Sequence, residues 1–189
     1  MINGEVLLIN EENFKLYSQV SRNVGVDKCY PFLQLAQSFH IEPILGTALL
    51  EELQEQISLN QITNLNKALL IKIAPALAAF TDFIAARGLA YTITQKGIVR
   101  EHSENSESLD EKELGYYIGG LREIADKQTD ILIKYLCRCQ ESYPLWRPED
   151  DCICSKYAET TGSAKKEQMN VIYFPNKPPK GCPCEHKIP

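Results

Sequence analysis

LLIKIAPALAAFTDFIAA, residues 69 to 86, is the stretch that decides the fold of this chain. It is apolar on nearly all sides, and Lys72 and Asp82 are its charged residues. A helix that is apolar all round is surrounded by other elements of its own protein. We therefore predict a central helix over about residues 64 to 87. Pro75 should kink it, because proline removes one backbone hydrogen bond and crowds the preceding turn.

The longest predicted helix follows, over about residues 109 to 140. Ser108 and Glu111 have the spacing of a capping box at its start. Gly119 and Gly120 are its weak point, at roughly 1 kcal/mol each relative to alanine. Spacings of three and four residues predict a buried face made of Leu114, Tyr117, Ile118, Leu121, Ile124, Ala125, Gln128, Ile131, Leu132, Tyr135, Leu136 and Cys139.

Three shorter helices are predicted before the central one. The first covers about residues 11 to 20, with Asn10 as its N-cap and residues 6 to 9 as a short strand or a packed arm. The second follows Asp27 as N-cap and tolerates Pro31 in its first turn. The third resumes at Pro43, because the residue before a proline avoids the helical region. Their predicted apolar faces are Phe32, Leu35, Ala36 and Phe39 in the second helix, and Leu45, Ala48, Leu49, Leu53, Gln56 and Ile57 in the third.

The two long helices are separated by TITQKGIVREHSENSESLDEKEL, residues 92 to 114. β-Branched residues flank Gly97, a pattern that predicts a small β-hairpin or an extended excursion over residues 91 to 101. A two-stranded hairpin alone is marginal in water, so it needs a partner. The sequence leaves open whether that partner is this domain's own helices or another chain. The candidate interaction residues are Ile93, Thr94, Lys96, Gly97, Ile98, Val99 and Arg100.

The composition changes after Trp146, where Asp, Lys, Ser, Thr and Pro become dominant. This region contains one short apolar segment, at residues 171 to 174. We predict a helical domain over residues 1 to 146 and an extended Cys- and Pro-rich tail over residues 147 to 189. The predicted fold class is all-α: a helical bundle of four to five main helices, with the small hairpin and an irregular C-terminal tail.

The chain lacks the sequence signatures of an enzyme. Its three histidines lie on separate predicted elements, and it contains no Gly-rich phosphate loop and no nucleophile elbow. The net charge of −5 argues against broad phosphate binding. The start, MINGEVLLIN, has no basic segment ahead of a long apolar run, and Lys72 and Pro75 interrupt the most apolar stretch. We therefore expect a soluble, cytoplasmic, non-enzymatic protein without a membrane span.

Cysteine is the one residue type that suggests a metal. The chain has seven cysteines, six of them in three Cys-x-Cys pairs, and without a secretory signal a disulfide framework is not expected. Cys137 and Cys139 are interpreted as core and flank positions of a helix. Zinc prefers four soft ligands in a tetrahedron. A structural zinc site would use Cys152, Cys154, Cys182 and Cys184. The alternative is reduced, unliganded thiols and no cofactor.

Several short motifs occur in a recognisable order over about residues 5 to 147. They are Glu42-Pro43-Ile44-Leu45-Gly46 followed by Leu49 and Leu53, Ala74-Pro75-Ala76-Leu77, Thr94-x-Lys96-Gly97-Ile98-Val99, Asn105-Ser106, and Tyr135-Leu136 before Tyr143-Pro144-Leu145-Trp146. This order resembles the small helical head–tail connector (adaptor) proteins of tailed phages. It is particularly similar to an uncharacterised family encoded in Bacteroidetes phages and prophages.

The resemblance implies a structural protein of virion assembly. Copies would form a homo-oligomeric ring between the portal and tail proteins, with the hairpin projecting towards a neighbouring subunit. DNA would pass through the ring without sequence-specific binding, and no membrane would be involved. The protein would act in the cytoplasm of the host bacterium and become a virion component. The alternative function is a metal-binding or regulatory adaptor that uses the Cys-rich tail.

Overall fold

The computed structural model describes residues 6–20, 23–89, 91–94, 97–100, 110–148 and 153–154, with the side chains of residues 91 to 100 excepted. Short turns of 3₁₀ helix lie at Val26–Lys28 and Gln140–Ser142, and a π-helical turn lies at Gln37–Ile41. The remaining elements, in chain order, are α1 (Glu11–Tyr17), α2 (Tyr30–Ala36), α3 (Glu42–Leu45), α4 (Thr47–Ser58), α5 (Asn64–Gly88), β1 (Tyr91–Thr94), β2 (Gly97–Arg100) and α6 (Glu111–Arg138).

The described chain is mostly helical, as predicted, and α5 is its central helix. It packs against α1, α2 and, most extensively, α6. It begins at a side-chain cap, where Thr63 accepts a hydrogen bond from the backbone N–H of Asn66, and it continues through Pro75 to Gly88. By length and composition α5 could cross a membrane, but 61% of its most apolar window is buried inside the bundle. That is the usual state of a central helix in a bundle.

Helix α6 is the longest helix among the described residues, as predicted, and it continues through Gly119 and Gly120. The predicted capping box was placed two residues too early. Asp110 and Glu113 form it, each side chain accepting a hydrogen bond from the other's backbone N–H, at 2.7 and 3.0 Å. Asp caps helices as well as Ser does, so the same three-residue spacing fits both pairs.

The sequence is only partly right about which face of α6 is buried. Ile118, Leu121, Ala125, Leu132 and Leu136 are buried as predicted, and Ile133, which the pattern left out, is buried as well. The predicted face was about twice as wide as the face that the bundle covers. Its other margin stays in solvent, with exposures of 46% for Tyr117, 42% for Ile124 and 51% for Ile131.

The segment from α2 to α4 differs from the prediction in three places. Asp27 lies inside the first 3₁₀ turn instead of capping a helix, and α2 begins at Tyr30. The chain stays helical through Pro43, because the π-helical turn feeds α3 directly. The helix breaks at Gly46 instead, where φ is +76° and the backbone carbonyl of Arg147 fills the place of a side chain.

The buried face of α2 was predicted only in part, with Ala36 buried as expected. Leu35 and Phe39 are 40% and 65% exposed, whereas Leu33 and Ile41 are buried. Gln37 explains part of the error, because it is a polar residue in a core position. Its side chain accepts a hydrogen bond from Leu8 N at 2.8 Å and donates one to Val6 O at 3.0 Å. Residues 6 to 9 are therefore a packed arm and not a strand.

Between the long helices, β1 and β2 run antiparallel, with Ile93 opposite Ile98 and Tyr91 opposite Arg100. The main contacts of the pair are internal, followed by those of β1 with α5. The predicted tail lies outside the described residues from residue 155 onward, so the division of the chain at residue 146 stays a prediction.

Candidate interaction site and cysteine pair

The predicted interaction residues fall where the chain passes from α5 to α6. The register places Thr94 opposite Gly97 and Ile93 opposite Ile98. Lys96 itself and the side chains of the other six residues lie outside the described part of the chain. Tyr91, which is opposite Arg100, begins β1 three positions after the end of α5. The surroundings of that end are therefore the part of the site that can be examined atom by atom.

A cavity of about 230 Å³ opens at this end of the bundle, between the chain after α1, the last turns of α5 and the first half of α6. We call this region the open end. The cavity is lined by Gln19, Val20, Val24, Asp82, Ala85, Ala86, Leu89, Tyr117 and Leu121. Most of these side chains are apolar. Tyr117 bridges two of the walls, donating a hydrogen bond to Gln19 Oε1 at 3.3 Å.

Asp82 is the charged group in this lining. Its side chain is 5% exposed and accepts hydrogen bonds from Ser18 Oγ at 2.5 Å and from Gln19 N at 2.7 Å. Burial raises its pKa above the ordinary aspartate value, while these two hydrogen bonds act in the opposite direction. The ion pairs of the described residues join other groups. The carboxylate is thus buried with hydrogen bonds but without a countercharge from the described chain.

A second group of side chains with charged members is centred on His40, which stacks on Phe80. The ring centroids are 3.9 Å apart and the planes differ by 6°. The guanidinium of Arg122 lies 5.7 Å from the Phe80 ring and 5.4 Å from the Phe83 ring, and its Nε donates to Asp126 at 3.0 Å. Burial and the Arg122 charge lower the pKa of His40, and Asp126 opposes them. The stack ties the π-helical turn to α5 and α6, which is a structural role.

The opposite end of the α5–α6 pair is closed by the chain that follows α6. The indole N–H of Trp146 donates to Ile44 O at 2.8 Å, and the hydroxyl of Tyr143 donates to Leu65 O at 3.0 Å. Burial raises the pKa of Tyr143, and the Tyr135 hydroxyl at 3.0 Å adds to the shift. We call this region the closed end. It joins two of the motifs singled out in the sequence, the Glu42-to-Gly46 corner and the Tyr143-to-Trp146 turn.

The cysteines are arranged differently from the prediction. Cys137 and Cys154 form a disulfide, with Cα atoms 5.6 Å apart, which fastens the chain after Trp146 to α6. Cys154 is 5% exposed. The expectation that no disulfide forms was therefore wrong, because the sequence does not reveal that residue 154 returns to α6. A disulfide sulfur is not a thiolate ligand, so Cys154 in this state cannot serve the predicted zinc site.

The other predicted zinc ligands, Cys152, Cys182 and Cys184, lie outside the described residues. Within the described ranges no group of three or more His, Cys, Asp and Glu side chains is placed to hold a metal. Cys29 and Cys139 are free thiols, and burial raises the pKa of Cys29, with Asp82 adding to the shift.

Sequence reasoning missed Asp82 as a site residue, although its signal was present. It is the acidic residue within the apolar stretch of residues 69 to 86. A carboxylate in a helix that is apolar all round is buried and needs partners. The partners, Ser18 and Gln19, are more than 60 positions away in the chain and could not be identified from spacing.

The described residues form a helical bundle with one closed and one open end. A comparison with families of known sequence places the chain: residues 41–156 match the model of a family of unknown function, DUF6712. The chain belongs to this family, whose segment includes the strand pair, Asp82 and both disulfide cysteines. No curated protein and no solved structure matches the chain.

Proposed function

We propose that this protein is a non-enzymatic structural component of phage or prophage virion assembly, acting as a head–tail connector whose copies form a ring between portal and tail. The proposal rests on the resemblance in the order of motifs from Glu42 to Trp146, together with the properties of the open end. In this role the protein works in the host cytoplasm and remains in the virion. Its mechanism is packing between chains, not chemistry.

The observation that carries the proposal is the strand pair at the open end. β1 and β2 are four residues each, and their main contacts are with one another and with the end of α5. An isolated two-stranded hairpin is marginal in water, and exposed strand edges are templates for pairing with another chain. We infer that residues 91 to 101 act as a small hairpin that gains its stability from a neighbouring subunit.

Two further features are compatible with a subunit of a ring. Tyr117, Ile124 and Ile131 form a half-exposed apolar margin along α6, of the kind that a neighbouring subunit covers. The net charge of −5 suits a ring through which DNA passes without adhering, since phosphate binding depends on clustered basic residues.

The proposed function is tested by replacing Ile93 and Val99 with Ser in the full chain. Two quantities are measured: the melting temperature of the purified protein, and the joining of tails to portal-bearing heads in an infected host. We expect a small change in melting and a large loss of joining. The matched control replaces Ile71 and Leu59, which are 60% and 59% exposed on the bundle, with Ser. These changes should leave both quantities near those of the parent.

Two outcomes would contradict this assignment. If the double variant loses its fold, the strand pair belongs to the bundle core and its partner is the chain itself. If heads acquire tails normally in the absence of the protein, it is not a connector. The alternative of a metal-binding adaptor has weaker support, because Cys154 is bonded to Cys137.

A further inference from the structure

The apolar margin of α6, formed by Tyr117, Ile124 and Ile131, lies on the outside of the bundle. These residues are 46%, 42% and 51% exposed. They follow one another at intervals of seven positions, and seven residues are close to two turns of a helix, so the three side chains stand in one line about 21 Å long. Apolar residues at this spacing are the pattern by which one helix packs along another. The α6 margin is therefore suited to a helix as its occupant.

The charges at the two ends of α6 indicate which helix fits. Asp110 and Glu113 at its start and Arg138 at its end are exposed, and the helical repeat places all three within about 40° of the line of the margin. Lys134 adds a second base near the end, about 80° from that line, whereas Lys112 at the start lies about 120° away. The margin is thus acidic where α6 begins and basic where it ends. A fitting helix carries the opposite order of charges alongside it.

A second copy of α6, running in the opposite direction, has that order of charges. Ile124 is the midpoint of the arrangement, because Tyr117 and Ile131 are both seven positions from it, and Asp110 and Arg138 are both fourteen. A two-fold axis at Ile124 therefore places Tyr117 of each copy against Ile131 of the other, and Asp110 of each copy beside Arg138 of the other. A two-fold contact uses the same surface on both subunits and requires this kind of self-complementarity.

Gly120 fits the same arrangement. Glycine is unfavourable inside a helix, yet α6 continues through this position. A Cβ atom at Gly120 would meet no other atom of the described residues within 4 Å, so its own bundle does not require a glycine there. The two-fold axis at Ile124 brings Gly120 opposite Gln128 of the other copy, since each is four positions from Ile124. The missing side chain leaves space for the half-buried Gln128 and allows the two helices to approach closely.

We propose that two copies of this chain associate through their α6 margins, antiparallel and about a two-fold axis at Ile124. A two-fold contact is complete with two copies, so it does not extend into a ring. The dimer is therefore a state of the free chain that goes beyond the proposed function, in which the margin is covered before a ring neighbour replaces the second copy. That biological setting rests on the connector function, whereas the contact itself is a property of the purified chain.

The first test measures self-association of the full chain by analytical ultracentrifugation over a range of concentrations. The parent should change from monomer to dimer as the concentration rises. Ile124→Ser should weaken the dimer at least about tenfold, because Ile124 meets itself across the axis and each dimer loses two apolar side chains. The matched control is Ile71→Ser, at an isoleucine of α5 that is 60% exposed, and it should associate like the parent.

The second test uses charge and does not depend on the apolar residues. One variant, with Lys134→Glu and Arg138→Glu, has two acidic ends. The other, with Asp110→Asn and Glu113→Lys, has two basic ends and keeps a good N-cap, because Asn caps helices as well as Asp does. Each variant alone should associate at least about tenfold more weakly than the parent, since like charges meet across the axis. An equimolar mixture should recover a dimer, because each acidic end then faces a basic one.

The recovery in the mixture cannot come from general attraction between oppositely charged proteins. The parent carries a net charge of −5, the first variant is more negative, and the second gains only three positive charges, so both variants remain net negative. A parallel pairing of α6 would place like ends together in the parent and would not produce this pattern.

The inference is overturned if the parent stays monomeric at all accessible concentrations, which is also the result expected if another part of the same chain covers the margin. It is overturned as well if Ile124→Ser associates like the parent, or if the mixture of charge variants does not recover a dimer. The connector proposal is decided separately. A parent that dimerises as described keeps this inference even if heads acquire tails normally in the absence of the protein, a result that would contradict the connector function alone.

Discussion

The closed and open ends belong to the same pair of helices, α5 and α6, but they differ in how the chain around them is packed and bonded. At the closed end, Trp146 and Tyr143 donate hydrogen bonds across the junction, and a disulfide fastens the chain beyond it. At the open end, a buried carboxylate lacks a countercharge from the described residues and a cavity stands beside it. The difference suggests that folding is stabilised mainly at one end and association mainly at the other.

The largest difference between the two ends is expected in the free energy of unfolding that is lost when a buried leucine is shortened to alanine. Leu136→Ala at the closed end should lower the free energy of unfolding by about 4 kcal/mol, because Leu136 is fully buried in a well-packed region. Leu121→Ala at the open end should lower the free energy of unfolding by only about 2 kcal/mol. Leu121 already borders a cavity, so its side chain makes fewer packing contacts that the truncation can remove. Denaturant unfolding of both variants checks this. Equal costs would mean that the two ends are equally well packed.

Leu121 is nevertheless buried, at 3% exposure, so a charge there should not be tolerated. Leu121→Asp would place an unpaired carboxylate in an apolar wall close to Asp82 and should unfold the body. A variant that melts within a few degrees of the parent would contradict the placement of this residue.

Removing the disulfide should have the next largest effect, and it should be confined to the closed end. Cys154→Ser opens a loop of 17 residues, which corresponds to about 3 kcal/mol in the chain-entropy description. Denaturant unfolding without reductant should show this loss. The control is Cys139→Ser at a free cysteine nearby, which should be close to neutral. If the parent and Cys154→Ser unfold alike under oxidising conditions, the disulfide does not stabilise the fold.

Single hydrogen bonds give a finer comparison. Trp146→Phe removes the donor to Ile44 O and should lower the free energy of unfolding by about 1 to 3 kcal/mol, because the bond is buried. Tyr117→Phe removes the exposed bond to Gln19 at the open end and should cost under about 0.5 kcal/mol. Thermal melting of the two variants, compared with the parent, measures this difference. The reverse order would exchange the roles that we assign to the two ends.

The smallest expected effect is a pH dependence at the open end. Burial raises the pKa of Asp82 above 3.8, so the carboxyl group binds a proton more tightly in the folded chain than in the unfolded chain. The stabilisation is complete below 3.8 and is lost as the pH rises through the folded-state pKa. Asp82→Asn should therefore flatten the fall in melting temperature with rising pH from 3.8 upward. An unchanged pH profile would show that Asp82 is not desolvated as described.

The sequence predicted the two long helices well, because their signals are local and repeated. The apolar stretch of residues 69 to 86 identified the central helix, and the spacing along α6 was strong enough to outweigh two glycines. Periodicity could not tell how much of that face the bundle covers. The answer depends on how many helices pack against α6, so Ile124 and Ile131 were predicted to be buried and are exposed.

The features of the candidate site could not be predicted from local sequence patterns. Gln37 is in the core because the backbone of residues 6 to 8 needs hydrogen-bonding partners, and no periodic rule anticipates a buried glutamine. The Cys137–Cys154 disulfide and the Trp146–Ile44 bond join residues 17 and 102 positions apart. Their partners are set by the packing of α5 on α6. The Cys-x-Cys spacing therefore suggested a metal site where the fold brings together a different pair.

The most direct test of the division between the two ends is amide hydrogen exchange on the full chain, compared between dilute and concentrated solutions. We predict that exchange slows with concentration in α5 from Asp82 to Gly88, in α6 from Glu111 to Leu121 and in residues 91 to 100. Exchange at the closed end, around Leu136 and Trp146, should be slow at both concentrations and unchanged. Slowing at the closed end, or no change at the open end, would contradict the account.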